Sequence, residues 1–440
     1  MHMSKQYVSI CCIALSAVMQ FNTPLFGQEL DAYVAAEEDS LVISPELLAE
    51  YEKYEEQAQR EQRDYLNAIR SIWSADSVLL DSPTVWVEYS KDFMSRTVVD
   101  FETGKVRVEV ATPHDADNAK GEVTQRLTTT LSQLLNSRGS ACNYPSVVED
   151  NTTLTDRPVL DGMLDLSRLA ISNPAAKPKG KRHFGVSSRA SEADYLKTNE
   201  GLTAEQNDQI ALSVVEKLMA AGLTDEYASP HMLFSRDGSD PEPDGTTIDI
   251  TSLLLELTDS HLDKNAVVYQ DIVNQYSEQF DIEKALVYAV MEQESRFNPK
   301  ATSHVPAYGL MQLVPKSGGL ASYRYVYKED HIPTSSFLYV PQQNVQLGTA
   351  LLRILMNQFS KIEDAACRRL CVIASYNTGA GNVSRSFIGR TKIADALPLI
   401  NEMNYSELYT HLTTKLGSSE ARNYVKYVEE RREKYLTQLQ

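Results

Sequence analysis

The chain has 440 residues and a formal charge of −18, with 60 acidic side chains against 42 lysines and arginines. This charge opposes general binding to nucleic acid or to anionic lipid, so we expect no nucleic-acid partner. The length exceeds the roughly 100–200 residues of one domain, and the 42% of hydrophobic residues exclude a disordered chain. Two or three globular units are therefore expected.

The first 27 residues have the pattern of a secretory signal peptide. Lys5 precedes an apolar run over residues 7–19, and Gly27 is the expected cleavage position. The run is shorter than the roughly 20 residues that span a bilayer, which argues against a transmembrane anchor. Cys11 and Cys12 lie inside the run, so no lipobox is seen. We expect an exported, periplasmic protein, and association with the outer membrane stays open.

The next region, residues 28–260, is predicted to form an α+β domain. Pro45 stands in the first turn of a long polar helix expected over residues 44–72, a position that proline favours. Alternating segments rich in β-branched residues predict an antiparallel meander over residues 84–111, with a tight turn at residues 102–104. Two further elements are expected, a helix and a strand, over residues 126–136 and 245–258.

Two segments of this domain are predicted to be exposed loops, residues 173–197 and 236–246. The first contains prolines, glycines and a basic cluster of Lys177, Lys179, Lys181, Arg182 and Arg189. Such a cluster is usually a solvated loop, and a patch that meets the cell wall or an anionic surface is the alternative. The second loop is acidic and rich in proline and glycine.

The last region, residues 261–440, has continuous helical periodicity and no strand pattern, so an all-α domain is expected. The predicted helices lie at about residues 264–279, 282–297, 344–358, 363–376 and 419–437. Cys367 and Cys371 share one helix face, which permits a disulfide bridge or two buried side chains, and we favour burial. No histidine stands at ligand spacing beside them, so we expect neither a metal ion nor a cofactor.

The helix expected over residues 282–297 carries a candidate general acid. Asp281 is a suitable N-cap residue, and Pro299 stops the helix near Asn298. Glu294 falls in the last turn, with apolar residues three, four and seven positions before it. Desolvation and the negative end of the helix dipole both disfavour its charged form and raise its pKa. A general acid that works near neutral pH requires such a pKa.

Glu292 weakens this argument, because Tyr288 and Ala289 stand behind it in the same way. Local physics therefore leaves the two glutamates tied. For either one, the alternative is a solvent-facing glutamate at a helix end.

Four short motifs occur in order from this helix onward. They are Glu294-Ser-Arg-Phe-Asn-Pro, Ala307-Tyr-Gly-Leu-Met-Gln, Ala374-Ser-Tyr-Asn-Thr-Gly-Ala-Gly and Glu420-Ala-Arg-Asn-Tyr-Val. Together they resemble the motifs of family 1 lytic transglycosylases, which implies a goose-lysozyme-like catalytic domain. The region before residue 260 further resembles the extra domain of membrane-bound lytic murein transglycosylase C enzymes, through its tryptophan-containing strands and residues 155–159 and 260–264.

The resemblance implies a reaction. Glu294 would protonate the glycosidic oxygen between N-acetylmuramic acid and N-acetylglucosamine, then take the proton of the muramic 6-hydroxyl as it attacks, to give a 1,6-anhydro sugar. Most glycosidases instead use two carboxylates, about 5–9 Å apart. The alternatives are a hydrolytic muramidase and a non-catalytic peptidoglycan-binding module. The expected partner is the peptidoglycan glycan strand, and a further cell-wall or outer-membrane partner of the amino-terminal domain stays open.

The resemblance also implies a set of substrate-binding residues. These are Ser295, Ser303, Met311, Gln312, Tyr376, Asn377, Glu420 and Tyr424. Tyr376 is suited to hold the catalytic glutamate or the sugar through its hydroxyl group. Glu420 and Tyr424 project from one face of the last helix, and Tyr424 is the better candidate for the cleft.

Plainer roles remain open for several of these residues. Ser303 is also suited to cap a loop. Asn377 is equally suited to a turn, and Met311 to the core. Gly309 is expected to permit a turn that brings the chain close to the saccharide.

Overall fold

The computed structural model describes residues 42–73, 77–113, 119–142, 146–148, 152–166, 197–221, 224–227 and 248–439. The expected signal peptide lies outside these residues, as do the loop expected over residues 236–246 and all but the last residue of the loop expected over residues 173–197. None of the described helices is long and apolar enough to cross a membrane.

The long polar helix α1 spans Pro45–Arg70. Ser44 caps it by accepting a hydrogen bond from the Leu47 amide at 3.2 Å, and Pro45 occupies the first turn. The helix contacts both halves of the molecule, because Leu47 packs with Leu320 of the helical region while Ile69 packs with Ile250 of the sheet. Helix α1 thus bridges the two halves.

The sheet of the amino-terminal half has five antiparallel strands in the order β1-β2-β3-β5-β4. They are β1 (Val85–Tyr89), β2 (Ser95–Asp100), β3 (Lys105–Pro113), β4 (Thr224–Tyr227) and β5 (Ile248–Glu256). Helices α2 (Ala119–Asn136) and α3 (Ala204–Ala221) pack on it, and Leu127, Val214 and Leu253 share one core. The predicted α+β class is confirmed, although α3 and β4 had no predicted counterpart.

The described residues from 261 onward form helices, with only isolated β-bridges among them, at Tyr308. The helices are α4 (His261–Val268), α5 (Gln270–Phe280), α6 (Lys284–Ser295), α7 (Leu320–Tyr327), α8 (Ser335–Tyr339), α9 (Pro341–Gln358), α10 (Ala365–Thr378), α11 (Ala380–Ile388), α12 (Ile393–Asn401), α13 (Tyr405–Lys415) and α14 (Ser419–Gln438), with a π-helical turn at Pro315–Gly319. The all-α class is confirmed. Helix α6 runs through the core, since Leu286, Val287 and Val290 are fully buried.

Several predicted boundaries were wrong. The helix expected over residues 264–279 is two helices, α4 and α5, that meet at Tyr269. Asp281 does not cap α6; it ends α5 in a left-handed conformation with φ of 50°, and Glu283 takes the N-cap position of α6. Helices α7, α8, α11, α12 and α13 had not been predicted.

The structure describes three cysteines, Cys142, Cys367 and Cys371; all three are buried, and Cys367 and Cys371 are not bridged. Cys367 and Cys371 belong to the core of the helical domain, so the structure shows two buried side chains where the sequence permitted a bridge.

Candidate active site

A cleft of about 610 Å³ opens in the helical domain and reaches the amino-terminal half. Glu294 of α6 lies in it. The other side chains come from the loop after α6, from α10 and α11, from the turn between α13 and α14, and from the amino-terminal half: Pro83, Ser303, His304, Val305, Ala307, Gln312, Val314, Tyr376, Asn377, Thr378, Asn382, Arg385, Ser386, Lys415, Gly417, Ser418 and Glu420.

Glu294 is the next-to-last residue of α6, which ends at Ser295. The chain turns at the next two residues. Arg296 and Phe297 adopt left-handed conformations, with φ of 51° and 63°. Two such residues cost about 1–2 kcal/mol each in backbone strain. The guanidinium of Arg296, which donates to the carbonyl of Glu292 at 2.6 Å, and the complete burial of Phe297 hold this turn in place. The end of the helix leaves Glu294 facing the cleft.

The surroundings of Glu294 favour its protonated form. Burial raises the pKa of the carboxyl group to about 8, and the nearby Glu420 acts in the same direction. Tyr424 opposes them, since its hydroxyl donates a hydrogen bond to Oε1 of Glu294 at 2.6 Å. Burial outweighs this bond, so the carboxyl group is mostly protonated at neutral pH.

Glu292, which local physics alone could not distinguish from Glu294, has the opposite environment. Burial acts to raise its pKa, but Tyr435 and the cations of Lys434 and Arg431 outweigh burial and hold the pKa below its usual value. Tyr435 donates to Oε2 at 2.5 Å, and Arg431 donates to Oε1 at 3.1 Å. A carboxylate held ionised by two cations is unsuited to donate a proton at neutral pH.

The loop after α6 forms one wall of the cleft through its backbone. Gln312 has φ of 48° and donates from its side-chain amide to the carbonyls of Ala301 and Gly309, at 3.0 Å each. Ser303 lines the cleft as well, and its hydroxyl donates to the Val305 carbonyl while it accepts from the Ala307 amide at 3.3 Å. Both residues therefore line the cleft and also brace its loop.

Gly309 serves the packing of this loop. It has φ of 75°, and a Cβ atom would overlap the carbonyl oxygen of Leu338 and the side-chain amide of Asn344. Asn344 also accepts from the Met311 amide at 2.8 Å and donates to the Tyr308 carbonyl at 2.8 Å. The close approach at Gly309 is therefore to the protein interior, where the sequence had suggested an approach to saccharide.

Three of the expected substrate-binding residues, Ser295, Met311 and Tyr424, lie outside the lining of the cleft, whereas Glu420 belongs to it. Ser295 has no exposed surface, and its hydroxyl hydrogen-bonds to the carbonyls of Met291 and Leu310, at 3.0 and 2.8 Å. The side chain of Met311 is fully buried beside Gly348. These positions favour a bracing role for Ser295 and core packing for Met311.

The tyrosines and polar residues of the third and fourth motifs meet around Glu294. Tyr376 lines the cleft, and its hydroxyl donates a hydrogen bond to the backbone carbonyl of Met311 at 2.8 Å. The hydroxyl hydrogen of Tyr376 is therefore directed at this carbonyl and not at Glu294. Asn377 donates to Oε1 of Glu420 at 3.3 Å. Tyr424 is buried, and it contacts the carboxyl group of Glu294 from behind the cleft surface.

The amino-terminal half contributes to the site through the segment that ends at Pro83. Asn298, which is fully buried, donates to the carbonyls of Ser82 and Pro83 at 3.3 and 3.4 Å. Nearby, Arg296 forms an ion pair with Glu102, and Lys300 donates to the carbonyl of Cys142 at 3.1 Å. These bonds join the loop after α6 to the amino-terminal half.

A second cavity, of about 240 Å³, lies between the two halves and shares Pro83, Ser303 and His304 with the cleft. Its wall includes Asp81, whose Oδ1 accepts a hydrogen bond from the Val87 amide at 2.8 Å. Burial raises the pKa of this carboxyl group to about 6, because it outweighs the attraction of Lys300. The cleft therefore adjoins a cavity that is lined by the buried carboxyl group of Asp81.

Several residues of the cleft had no signal in the sequence motifs. Pro83 belongs to a different half of the chain, and Lys415 lies just before the fourth motif. Arg385 and Ser386 could have been found from the third motif alone, because a helix starting after Gly379 brings its second turn over the same surface. Among the described residues, no group of three or more acidic, histidine or cysteine side chains could hold a metal ion.

Comparisons with known proteins give two separate family matches along the chain. Residues 271–396 match the family model of the transglycosylase SLT domain, and residues 51–165 match that of the membrane-bound lytic murein transglycosylase C amino-terminal domain. Among solved structures, the 70 kDa soluble lytic transglycosylase of Escherichia coli is 26% identical and has a TM-score of 0.32, over 41% of this chain and 26% of that chain.

Two curated relatives extend the likeness over most of the chain. Membrane-bound lytic murein transglycosylase C of Pectobacterium atrosepticum is 30% identical over 84% of this chain and 88% of its own length. The protein of the same name from Edwardsiella ictaluri is 29% identical over 84% of this chain and 87% of its own. With both halves matched in order along one relative, the chain belongs to the membrane-bound lytic murein transglycosylase C family.

Proposed function

We propose that this protein is a peptidoglycan lytic transglycosylase in which Glu294 acts first as the acid and then as the base. The observation that carries the proposal is a carboxyl group in an open cleft with a pKa raised to about 8. Such a group holds its proton at neutral pH and can donate it to a leaving oxygen. The names of the curated relatives supply the substrate class, murein.

The proposed reaction uses one carboxyl group twice. Glu294 protonates the glycosidic oxygen as the bond from C1 of N-acetylmuramic acid to O4 of N-acetylglucosamine breaks. The resulting carboxylate then takes the proton of the muramic 6-hydroxyl, whose oxygen bonds to C1. The proton returns to Glu294, no water is consumed, and the product ends in a 1,6-anhydro ring.

Tyr424 supports both steps. Its hydrogen bond occupies Oε1 of Glu294, which leaves Oε2 to carry the transferable proton. When the carboxylate forms, the same bond becomes charge-assisted and therefore stronger. Tyr424 thus moderates the pKa that burial raises, so that the group can both release and regain a proton.

Glu420 is the other carboxylate among the described residues that line the cleft. It accepts a hydrogen bond from Asn377, and its charge raises the pKa of Glu294. We assign it an electrostatic and binding role. Ser303, Gln312, Tyr376 and Asn377 complete the proposed saccharide contacts, and we propose that the enzyme acts on periplasmic glycan strands.

The test is to digest purified sacculi and to weigh the released muropeptides. The proposal expects 1,6-anhydro ends, each lighter by one water than a reducing end. Products with only reducing muramic acid would show a hydrolytic muramidase instead. Glu294→Gln should abolish turnover while it retains saccharide binding, whereas a non-catalytic module would show the same sacculus turnover with either residue.

A further inference from the structure

Two basic side chains of the cleft, Arg385 and Lys415, have no ionic partner among the residues that the structure describes. Both line the same cavity as Glu294, and both are exposed to solvent. They come from different helices, since Arg385 lies in the second turn of α11 and Lys415 is the last residue of α13. Two elements thus bring positive charge to one cleft of an acidic protein.

Arg385 is held in place by Asn382, which is in turn bonded to the third motif. Its guanidinium donates to Oδ1 of Asn382 at 2.5 Å, and Nδ2 of Asn382 donates to the carbonyl of Thr378 at 2.7 Å. Thr378 and Asn382 line the cleft as well. A guanidinium has five N–H donors in a planar fork, so a single bond to Asn382 leaves enough of them to bind a carboxylate with two bonds.

Lys415 lies at the turn that leads into α14, whose first residues include Glu420. Gly417 and Ser418 of this turn also line the cleft. An ammonium group on a flexible stem is a point charge with three donors, and it complements the planar fork of an arginine.

The charge of the whole chain makes this pair informative. At −18, the protein repels an anionic substrate at long range, so attraction must come from a local group of cations. The muramyl residues of peptidoglycan carry peptides with free carboxylates, while the glycan backbone apart from that substituent is neutral. The cations therefore match the peptide substituent rather than the sugar rings.

We propose that Arg385 and Lys415 form a subsite for the carboxylates of the stem peptide, so that the cleft prefers peptide-bearing glycan with free carboxylates. This subsite rests on the proposed function only for the identity of the substrate. It determines which strands are bound, and it leaves the proton transfers to Glu294.

The experiment compares two soluble glycan strands that differ only in peptide charge. Uncross-linked strands with their peptides are first acetylated at free amines, and half of the sample is then converted to methylamides with carbodiimide and methylamine. Initial rates of product release against strand concentration give kcat and KM for each substrate. The test variant, called the cleft variant, combines Arg385→Gln with Lys415→Gln. The control variant combines Lys361→Gln with Lys426→Gln, which changes the net charge by the same amount outside the cleft lining.

On strands with free carboxylates, KM of the cleft variant should be about 3–10-fold above that of the wild-type protein, and kcat should change much less. The reason is that exposed ion pairs are individually weak and act in substrate binding. The control variant should match the wild-type protein. With methylamides, the wild-type protein should show the raised KM, and the cleft variant should add nothing. Equal KM values for wild-type and cleft variant on charged strands, or an equal loss on both substrates, would overturn the subsite.

A binding measurement keeps this outcome separate from the fate of the proposed reaction. In the Glu294→Gln background, equilibrium affinity for the charged strand should fall by the same factor when the two cations are replaced. If the wild-type protein turned over neither strand, the reaction would be refuted, while the ratio of affinities for charged and methylamide strands would still decide the subsite.

Discussion

The hydroxyl of Tyr424 donates a hydrogen bond to Oε1 of Glu294 at 2.6 Å, across 130 residues of sequence. The bond joins the end of α6 to the second turn of α14. It lowers a pKa that burial and Glu420 raise, and so it balances the two proton transfers proposed for one carboxyl group.

Tyr424→Phe should lower kcat about tenfold, because the carboxyl group loses the bond that orients it. The pKa of Glu294 should rise further, so the alkaline limb of the pH profile should move to higher pH. Rates from sacculi across a pH series measure both effects. Tyr427→Phe is the matched control, since Tyr427 is an exposed tyrosine of the same helix. An unchanged alkaline limb in Tyr424→Phe would remove the proposed link.

The wild-type enzyme should work well at neutral pH and lose activity as the pH rises through about 8. The reason is that the first step needs the protonated form of Glu294, and this form is lost above its pKa. The dependence of kcat/KM on pH reports ionisation in the free enzyme. A profile that falls already between pH 5 and 6 would contradict a pKa near 8.

Glu294→Gln should stabilise the fold at neutral pH. The folded pKa of about 8 lies above the usual 4.5, so the contribution of Glu294 to stability is most favourable below pH 4.5 and becomes less favourable as the pH rises toward 8. A neutral amide escapes this loss, and Gln can still accept the bond from Tyr424. The gain should reach up to about 3 kcal/mol at pH 7 and should vanish near pH 4. Urea unfolding at the two pH values measures it, and a gain of equal size at both would argue against the charge as its cause.

Glu292→Gln should have the opposite effect. Its folded pKa is lowered, so its contribution to stability is present above the usual 4.5 and is lost as the pH falls through the folded pKa. The amide removes the carboxylate that Arg431 and Lys434 share, although Lys434 keeps its ion pair with Asp263, and the loss should cost about 1–3 kcal/mol at pH 7. The same unfolding experiment checks it, and a stabilised Glu292→Gln variant would show that its cations do not compensate for burial.

Gly309→Ala and Gly389→Ala form a matched pair for the loop after α6. Both glycines are left-handed, with φ of 75° and 71°. At Gly389 a Cβ has nothing within 4 Å, so only backbone strain of about 1 kcal/mol is expected. At Gly309 it overlaps Leu338 and Asn344, so the total cost should reach at least about 3 kcal/mol. Thermal unfolding of both variants is the measurement, and equal losses would show that the loop yields to the added methyl group.

The sequence predicted the elements whose pattern is local. The meander and the long polar helix follow from alternation and capping, and both occur where those signals lie. Five short helices were missed because five to eleven residues give a weak periodic signal. Helix α12 also contains Pro398, which normally argues against a helix interior.

In the candidate site too, residues in local motifs were predicted and residues brought in by packing were not. The four motifs contain seven of the 18 residues that line the cleft, and they favoured Glu294, whereas local physics alone could not separate Glu294 from Glu292. In the structure, Glu294 is bonded to Tyr424 and Glu292 to Tyr435, and both tyrosines belong to the last helix. No local sequence pattern predicts which tyrosine contacts which glutamate. Pro83 could not be found either, because it reaches the cleft by the packing of one half on the other.

Helix α1 has a consequence for the order in which the chain can fold. Its residue Tyr54 shares a hydrogen bond with Ser335 at 2.8 Å, a separation of 281 residues. Contacts between residues so far apart in sequence form slowly, whereas a helix forms from local contacts in about a microsecond or less. The first half of α1 therefore forms before its partner is in place. Closure of the molecule by α1 is accordingly a late event, and a chain shortened before Ser335 would keep the apolar side chains of Leu47 and Tyr51 without their complete cover.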